Sequence, residues 1–367
     1  MSDFFDEFND STKAKLGVYR AYIARYLKVL SKAYQQSWNR NKKDTVYIAD
    51  LFAGPGKDER GNPGSPMILL DYLAQTYLEG LQVKICFNES DPENHRKLKA
   101  FVDNHRIQKI NWVETDVQNK DYADLLPQIL SKHKTHNYFK RFFFIDPFGY
   151  SGIRLADMKE ILKDGDTEVL LFLPVSFIYR FKGRMINAIR TFLDDFILVP
   201  DVSVIENDVD FARNILERLR KELGVFVDSF IIQDDAGRGH NCLIYCSSNR
   251  KGLEKFVETK WEIDEDEGAG FVKCNVGQTS FLQEFFSDSL KIKMREFLED
   301  GPKTNVDIRD FCYENGSLPR HGTDVLKFFA EQDLIRIRAY NADTRIRKNT
   351  FYLSDGKNAK VAIELVK

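Results

Sequence analysis

The 367-residue sequence is 43% hydrophobic and balances 54 Lys and Arg against 56 Asp and Glu, a formal net charge of −2. A chain of this length buries a substantial core with room for a second module, so roughly two domains are expected; the near-neutral charge excludes a protein that coats nucleic acid by bulk electrostatics and leaves only local basic patches for that purpose. Five cysteines, an odd number without paired CxxC spacing, argue against a disulfide framework and a zinc ribbon. No apolar run approaches the roughly 20 residues of a membrane span. The acidic, polar start over 1–11 lacks the charge pattern of a signal peptide, so a cytoplasmic protein is expected.

Ser11 and Thr12 open a helical pattern over 12–38, with Leu16, Tyr19, Tyr22, Ile23, Tyr26, Leu27 and Leu30 at helical spacing, which reads as a packing helix in front of a sheet. Strands are predicted at 45–50, 82–88, 109–114, 141–145 and 167–173, separated by helices near 66–79, 92–104, 119–133 and 154–163. Such alternation predicts an α/β, doubly wound parallel sheet. A helical insertion over 176–223 follows, and then strands at 225–232 and 241–247 form an antiparallel hairpin that closes the sheet. Cys242 and Cys246 share one face of the last strand and read as buried core thiols. The acidic run Glu262 to Glu267 reads as a solvated loop.

Beyond about 285 the pattern changes: helices near 281–299, 305–314 and 321–332, then strands at 334–340 and 348–353 around a turn. That is the outline of a winged helix-turn-helix over 286–367, appended to a main domain over 1–285. The hairpin carries Arg336, Arg338, Arg345, Arg347 and Lys348 with only Asp343 as counter-charge, which suits a wing lying against phosphates. A protein-contact or dimerisation module with a solvated basic hairpin fits the same pattern.

The strongest local signal is Val46-Tyr47-Ile48-Ala49-Asp50-Leu51-Phe52-Ala53-Gly54-Pro55-Gly56, an apolar strand that ends in Asp50 and runs into a glycine turn. Without a Cβ, Gly54 and Gly56 let the backbone approach a ligand, as at the strand ends of nucleotide-type cofactor folds. Glu89, after the second strand, is placed to accept both hydroxyls of a ribose, and Asp116, after the third, an adenine amino group. Phe52, Ser65 and Asp91 complete the candidate cofactor set. The spacing from glycines to Glu89 is longer than usual because of the loop Lys57 to Ser65, whose Gly and Pro residues suit a cover over the ligand. For Glu89 and Asp116 a helix N-cap is the competing reading. Neither a phosphate loop nor a nicotinamide fingerprint is completed after Gly56, and the six histidines show no ligand spacing, so no metal site is expected.

The fourth strand ends in Phe144-Ile145-Asp146-Pro147-Phe148-Gly149-Tyr150. This resembles the Asp-Pro-Pro-Tyr type motif of amino-methyltransferases, and its Asp-Pro-Phe-Gly form looks more like the tRNA guanine N2-methyltransferases than the DNA adenine enzymes. The resemblance implies that Asp146 grips the amino nitrogen that receives a methyl group, that Pro147 stiffens the strand exit, and that Phe148 and Tyr150 clamp the base. A strand that simply ends at a Pro-Gly turn is the competing reading. Together with Asp50 to Gly56 and Gly64-Ser65-Pro66, the motif makes residues 12 to 285 resemble the three-Cys-motif partner proteins, a bacterial family with a class I S-adenosylmethionine-dependent methyltransferase-like domain. That resemblance implies a Rossmann-like sheet, S-adenosylmethionine as cofactor, and a radical S-adenosylmethionine-like partner bearing three cysteines.

After the fifth strand, Phe177-Ile178-Tyr179-Arg180-Phe181-Lys182-Gly183-Arg184 interleaves aromatic and basic residues, which suits a surface that stacks bases and follows phosphates through Arg180, Lys182 and Arg184. An amphipathic core helix with basic residues reaching to solvent fits equally. The expected function is N-methylation of nucleic acid, RNA slightly favoured, at a guanine or adenine amino group. The alternative is a non-catalytic adaptor that binds cofactor and nucleic acid for the cysteine-bearing partner.

Overall fold

The structure, a computed structural model, describes residues 11–36, 44–58, 61–135, 140–147, 152–184, 186–233, 239–264, 270–271, 281–340, 347, 350–354 and 358–366. The chain parts into two compact units, Met1–Thr259 and Lys260–Lys367.

In the first unit five parallel strands, β1 (Asp44–Asp50), β2 (Leu81–Asn88), β3 (Val113–Gln118), β4 (Lys140–Ile145) and β5 (Thr167–Leu173), lie in the order 3-2-1-4-5. β6 (Phe226–Gln233) and β7 (His240–Ser247) extend the sheet as an antiparallel hairpin, with β7 inserted next to β5, so the order continues 5-7-6. This is a Rossmann-like sheet, mostly parallel with an antiparallel hairpin at its end. Its order reverses between β1 and β4, so a crevice opens beyond the carboxyl ends of those two strands. Phe142, Phe143, Phe144 and Ile145 of β4 are all fully buried, as a central strand covered on both faces requires. On one face, Tyr19, Tyr22 and Tyr26 of helix α1 (Ser11–Gln36) meet Phe142 and Phe144, the closest rings 4.5 Å apart. On the other face Phe143 and Ile145 join a core that includes Tyr122, Met158, Phe196, Phe211 and Ile215.

The connecting helices are α2 (Ser65–Gln75), α3 (Pro92–Asn104), α4 (Tyr122–Thr135) and α5 (Leu155–Leu162). The helical insertion consists of α6 (Val175–Phe181), α7 (Asn187–Phe196), a short 3-10 turn and α8 (Asp208–Leu223), and α9 (Arg250–Ile263) follows β7. At the amino end of β5, Glu168 is buried against α1 and α9, taking a hydrogen bond from the Tyr22 hydroxyl. A side chain at Gly252 of α9 would put its Cβ 2.5 Å from Glu168 Oε1 and 2.2 Å from the Tyr245 hydroxyl, so only glycine fits.

One strand lies later than predicted. The apolar residues taken for the start of β3 belong instead to a 3-10 turn, Arg106–Lys109, and its exit, where buried Ile107 and Trp112 hold the turn and Trp112 meets Tyr77 edge-on. β3 therefore runs over Val113–Gln118 rather than 109–114.

The second unit runs helix, strand, helix, helix, strand, strand: α10 (Phe281–Glu299), β8 (Lys303–Thr304), α11 (Asn305–Glu314), α12 (Pro319–Glu331), β9 (Ile335–Ala339) and β10 (Val361–Leu365), with β10 between β9 and β8. The predicted second strand, 348–353, is corrected. Its described residues are not strand; Phe351 and Leu353 drop into the core, and the alternating Val361 to Leu365 pairs with β9 instead. Buried Asn305 fastens the segment before β10, donating to the carbonyls of Tyr352 and Asn358 and accepting from the Lys360 amide at 2.7 Å.

Candidate cofactor and acceptor site

Asp50 ends β1 fully buried, and its Oδ2 accepts a 2.6 Å hydrogen bond from the Ser65 hydroxyl at the start of α2. Its Oδ1 is buried without a partner. Burial pushes the carboxyl up to about 7, with the nearby charge of Asp146 adding to the rise and Ser65, the Phe52 amide and Lys15 opposing it. The chain then turns through Gly54 (φ +62°) and Gly56 (φ +86°), left-handed values that suit glycine. A Cβ on Gly54 would meet nothing within 4 Å, which marks open space over the turn, whereas one on Gly56 would lie 3.0 Å from the Phe101 ring of α3. The turn is pinned from both neighbouring strands, Leu51 N–H to Phe144 O at 3.1 Å and Ala53 N–H to Asn88 O at 2.8 Å. The predicted cover loop comes back on itself: Gly64 N–H bonds Gly56 O at 2.9 Å, and Asn62 is held by Asp58.

Glu89 is buried beyond β2; its Oε1 accepts from the Asp91 amide at 2.8 Å, and its Oε2 is buried without a partner. The helix-cap role falls to Asp91, whose side chain accepts from the amides of Glu93 and Asn94 at the start of α3. Asn88, absent from the sequence-based set, ties three loops together by donating to Leu51 O and Lys120 O while accepting from Lys120 N–H. Asp116 lies within β3, opposite Cys86, two residues before the strand ends; it is exposed and bonded to Gln118. Phe52 stacks on Tyr122, ring centroids 5.4 Å apart.

Asp146, beyond β4, is already engaged. Lys15 of α1 reaches it at 2.5 Å, with the ammonium 4.3 Å from the centre of the Phe172 ring and both side chains largely shielded. Sequence reasoning missed Lys15, although the spacing Lys15, Tyr19, Tyr22, Tyr26 sets it on the buried face of α1. Pro147 is buried behind Asp146; Phe148 and Tyr150 lie outside the described residues.

The basic segments divide. Lys182 turns inward to the Ile205 carbonyl, over the Tyr179 ring at 4.1 Å, so it serves the fold. Arg180 and Arg184 face solvent; Arg184 lies 4.7 Å from the centre of the Phe181 ring, which is itself 4.8 Å from the part-exposed Phe177 ring. In the second unit Arg336 and Arg338 project from the outer face of β9. Their expected isolation from carboxylates is corrected: Arg338 pairs with Glu364 of β10 at 2.6 Å, a consequence of the displaced strand. Arg347 is exposed, and Arg345 and Lys348 fall outside the described residues. The exposed charges of α12, Arg320, Asp324, Lys327 and Glu331, cancel.

A cavity of about 560 Å³ lies at the opposite, amino end of β5, lined in part by Lys159, Glu160, Lys163, Gly165 and Ser248. Its lysines are paired with Glu222 and Glu160, and no candidate site residue lines it. Among the described residues no group of three or more His, Cys, Asp or Glu is arranged to hold a metal, and no helix is long and apolar enough to cross a membrane.

No protein-family model matches the sequence, and no curated protein does. Solved structures similar to it include the N-terminal domain of human METTL16 in complex with SAH, at 14% identity over 65% of this chain and 71% of that one, TM-score 0.32. A human methyltransferase 10 domain containing protein is 14% identical over 63% of this chain and 82% of its own, TM-score 0.31. The methyltransferase domain of bacterial CtHen1 is 9% identical over 62% and 99%, TM-score 0.28. The likeness is too distant to carry more than these figures.

Proposed function

We propose that this protein is an S-adenosylmethionine-dependent N-methyltransferase acting on nucleic acid, RNA before DNA, at a purine amino group. The observation that carries the reading is the pair of buried carboxylate oxygens without partners, Asp50 Oδ1 and Glu89 Oε2, at adjacent strand ends beside the open space over Gly54. Burying an acceptor without a donor costs about 1–3 kcal/mol, more when it is charged, so two at one crevice fit a site kept for a ligand rich in donors and positive charge. Glu89 would accept the ribose hydroxyls, and Asp50 with Ser65 and the glycine turn would face the charged end of the cofactor. Phe52 and the exposed Asp116 would edge the adenine, while Asp91 shapes the wall by capping α3. The bound cofactor would supply a methyl group activated on a sulfonium.

Asp146 is the residue for the acceptor. Its carboxylate would take a hydrogen bond from the amino group and stabilise the positive charge that develops on nitrogen as the new bond forms. Pro147 fixes its exit direction, and Phe148 and Tyr150 are assigned to clamp the base. Phe177, Arg180 and Arg184 form a stacking and phosphate-following edge. The second unit has the element order of a winged helix-turn-helix, and Arg336, Arg338, Arg345, Arg347 and Lys348 are assigned to the phosphate backbone. The protein is placed in the cytoplasm on the same reading.

The test is transfer of labelled methyl from S-adenosylmethionine to total RNA and total DNA, with Asp146→Ala as control. No incorporation into either, despite measured cofactor binding, rules out the enzyme. One observation favours the second reading, a non-catalytic cofactor- and nucleic-acid-binding adaptor for a radical S-adenosylmethionine-like partner with three cysteines: Lys15 already fills the position at Asp146 that an acceptor amine would take.

A further inference from the structure

Asp50, unlike Asp146, has no ion pair among the described residues: its Oδ2 takes the Ser65 hydroxyl and its Oδ1 is buried without a partner. From β4 it faces Asp146, whose charge is matched by Lys15 of α1 at 2.5 Å. From α1 it faces the buried Tyr19 hydroxyl, from α2 the Ser65 hydroxyl, and from β2 the neutral thiol of Cys86, which burial pushes up to about 11. Two neutral hydroxyls, a thiol and an internally matched ion pair therefore surround a fully buried carboxyl with an empty oxygen.

We propose that Asp50 is a specificity-determining residue that tells the cationic methyl donor from its neutral thioether product, because its buried Oδ1 has no partner and is set among neutral hydroxyls, where a positive charge on the ligand would find its match. This rests on the cofactor reading given above. In the bare site Asp50 ionises near pH 7, so below that pH a sulfonium must displace the proton to gain the charge interaction, and above it the carboxylate is ready. S-adenosylhomocysteine has the same adenosine and the same zwitterionic amino-acid end but no sulfonium, so any contact of Asp50 with those shared parts cancels in a comparison of the two. The donor is then preferred as pH rises, and product leaves a site that takes back a proton.

The experiment is calorimetric titration of the full chain with S-adenosylmethionine and, separately, S-adenosylhomocysteine between pH 5.5 and 8.5. The ratio of product to donor dissociation constants is expected to rise by up to about tenfold per pH unit and to flatten above the pH at which Asp50 ionises with the neutral product bound. Repeating the donor titration near pH 6 in buffers of different ionisation enthalpy should show up to about one proton released per donor bound. Asp50→Asn should abolish both effects. Ser65→Ala, which removes a hydrogen bond that favours the ionised form, should move the bend to higher pH and tests the same point if Asp50→Asn fails to fold. A ratio independent of pH, or one that keeps its slope in Asp50→Asn, overturns the inference while cofactor binding stands. Failure of both ligands to bind overturns the cofactor reading and this inference with it.

Discussion

Replacing Glu168 with glutamine should stabilise the first unit at alkaline pH and leave it little changed at pH 5. Glu168 is fully buried, with Tyr22 donating to Oε2 and Asn249 to Oε1 at 3.4 Å. Burial outweighs those donors and pushes its carboxyl from 4.5 up to about 7. A buried acid whose folded value is raised adds stability that is full below its unfolded value and is lost as pH climbs through the folded one. The loss therefore falls between about pH 4.5 and 7. At 1.36 kcal/mol per pH unit it amounts to about 3 kcal/mol once both states are ionised. Glutamine keeps the volume and an acceptor for Tyr22 but cannot ionise. The assay is urea or thermal unfolding of wild type and Glu168→Gln at pH 5 and pH 8, following the transition of the first unit. The variant's advantage should be about 3 kcal/mol larger at pH 8, roughly 6 °C or more in midpoint for a unit of this size. An equal effect at both pH values would show that Glu168 stays ionised in the folded state and that the reasoning is wrong.

Glu89→Ala should weaken S-adenosylmethionine binding at least tenfold by calorimetry with little change in melting temperature; equal affinity would remove Glu89 from the site. Lys15→Met leaves the Asp146 carboxylate shielded and without its cation, and should destabilise by about 1–2 kcal/mol in chemical denaturation, with Lys15→Arg recovering most of the loss. Asn305→Ala orphans the buried carbonyls and amides that it ties together before β10, and should cost about 2–4 kcal/mol. Hydrogen exchange should accelerate over residues 350–366 while the first unit keeps its protection.

The central strands were legible because their chemistry is monotonous. Phe142 to Ile145 has no reading other than a strand covered on both faces, and Asp50 before a glycine turn fixes where the crevice opens. β3 was misplaced because Ile110 and Trp112 are as apolar as strand residues; only tertiary contact shows that they belong to the exit of a turn. The third strand of the second unit went unseen because Phe351 and Leu353 carry strand-like residues into the core without pairing, while Val361 to Leu365 lies some twenty residues beyond its partner. The helix cap that competed for Glu89 falls to Asp91, expected in the cofactor set, and Glu89 keeps an unpartnered oxygen. Lys15 was missed for a different reason: a lysine in a helix is ordinarily read as solvent-facing, and only the tyrosine ladder below it says otherwise.

Helix α1 joins both ends of the sheet, with Lys15 on Asp146 at the carboxyl end of β4 and Tyr22 on Glu168 at the amino end of β5, beside Gly252. These partners are separated from it by 131, 146 and 230 residues. Helix α1 thus leaves the ribosome well before its seat is finished, since part of that seat is made by β7 and α9. Until then its tyrosine face stays without its partners, and Asp146 without its lysine. Closing so long a loop is slow relative to local folding. The crevice is therefore a late product of folding, and a chain released before residue 250 would carry every strand-end acid of the site without the helix surface that sets Asp146.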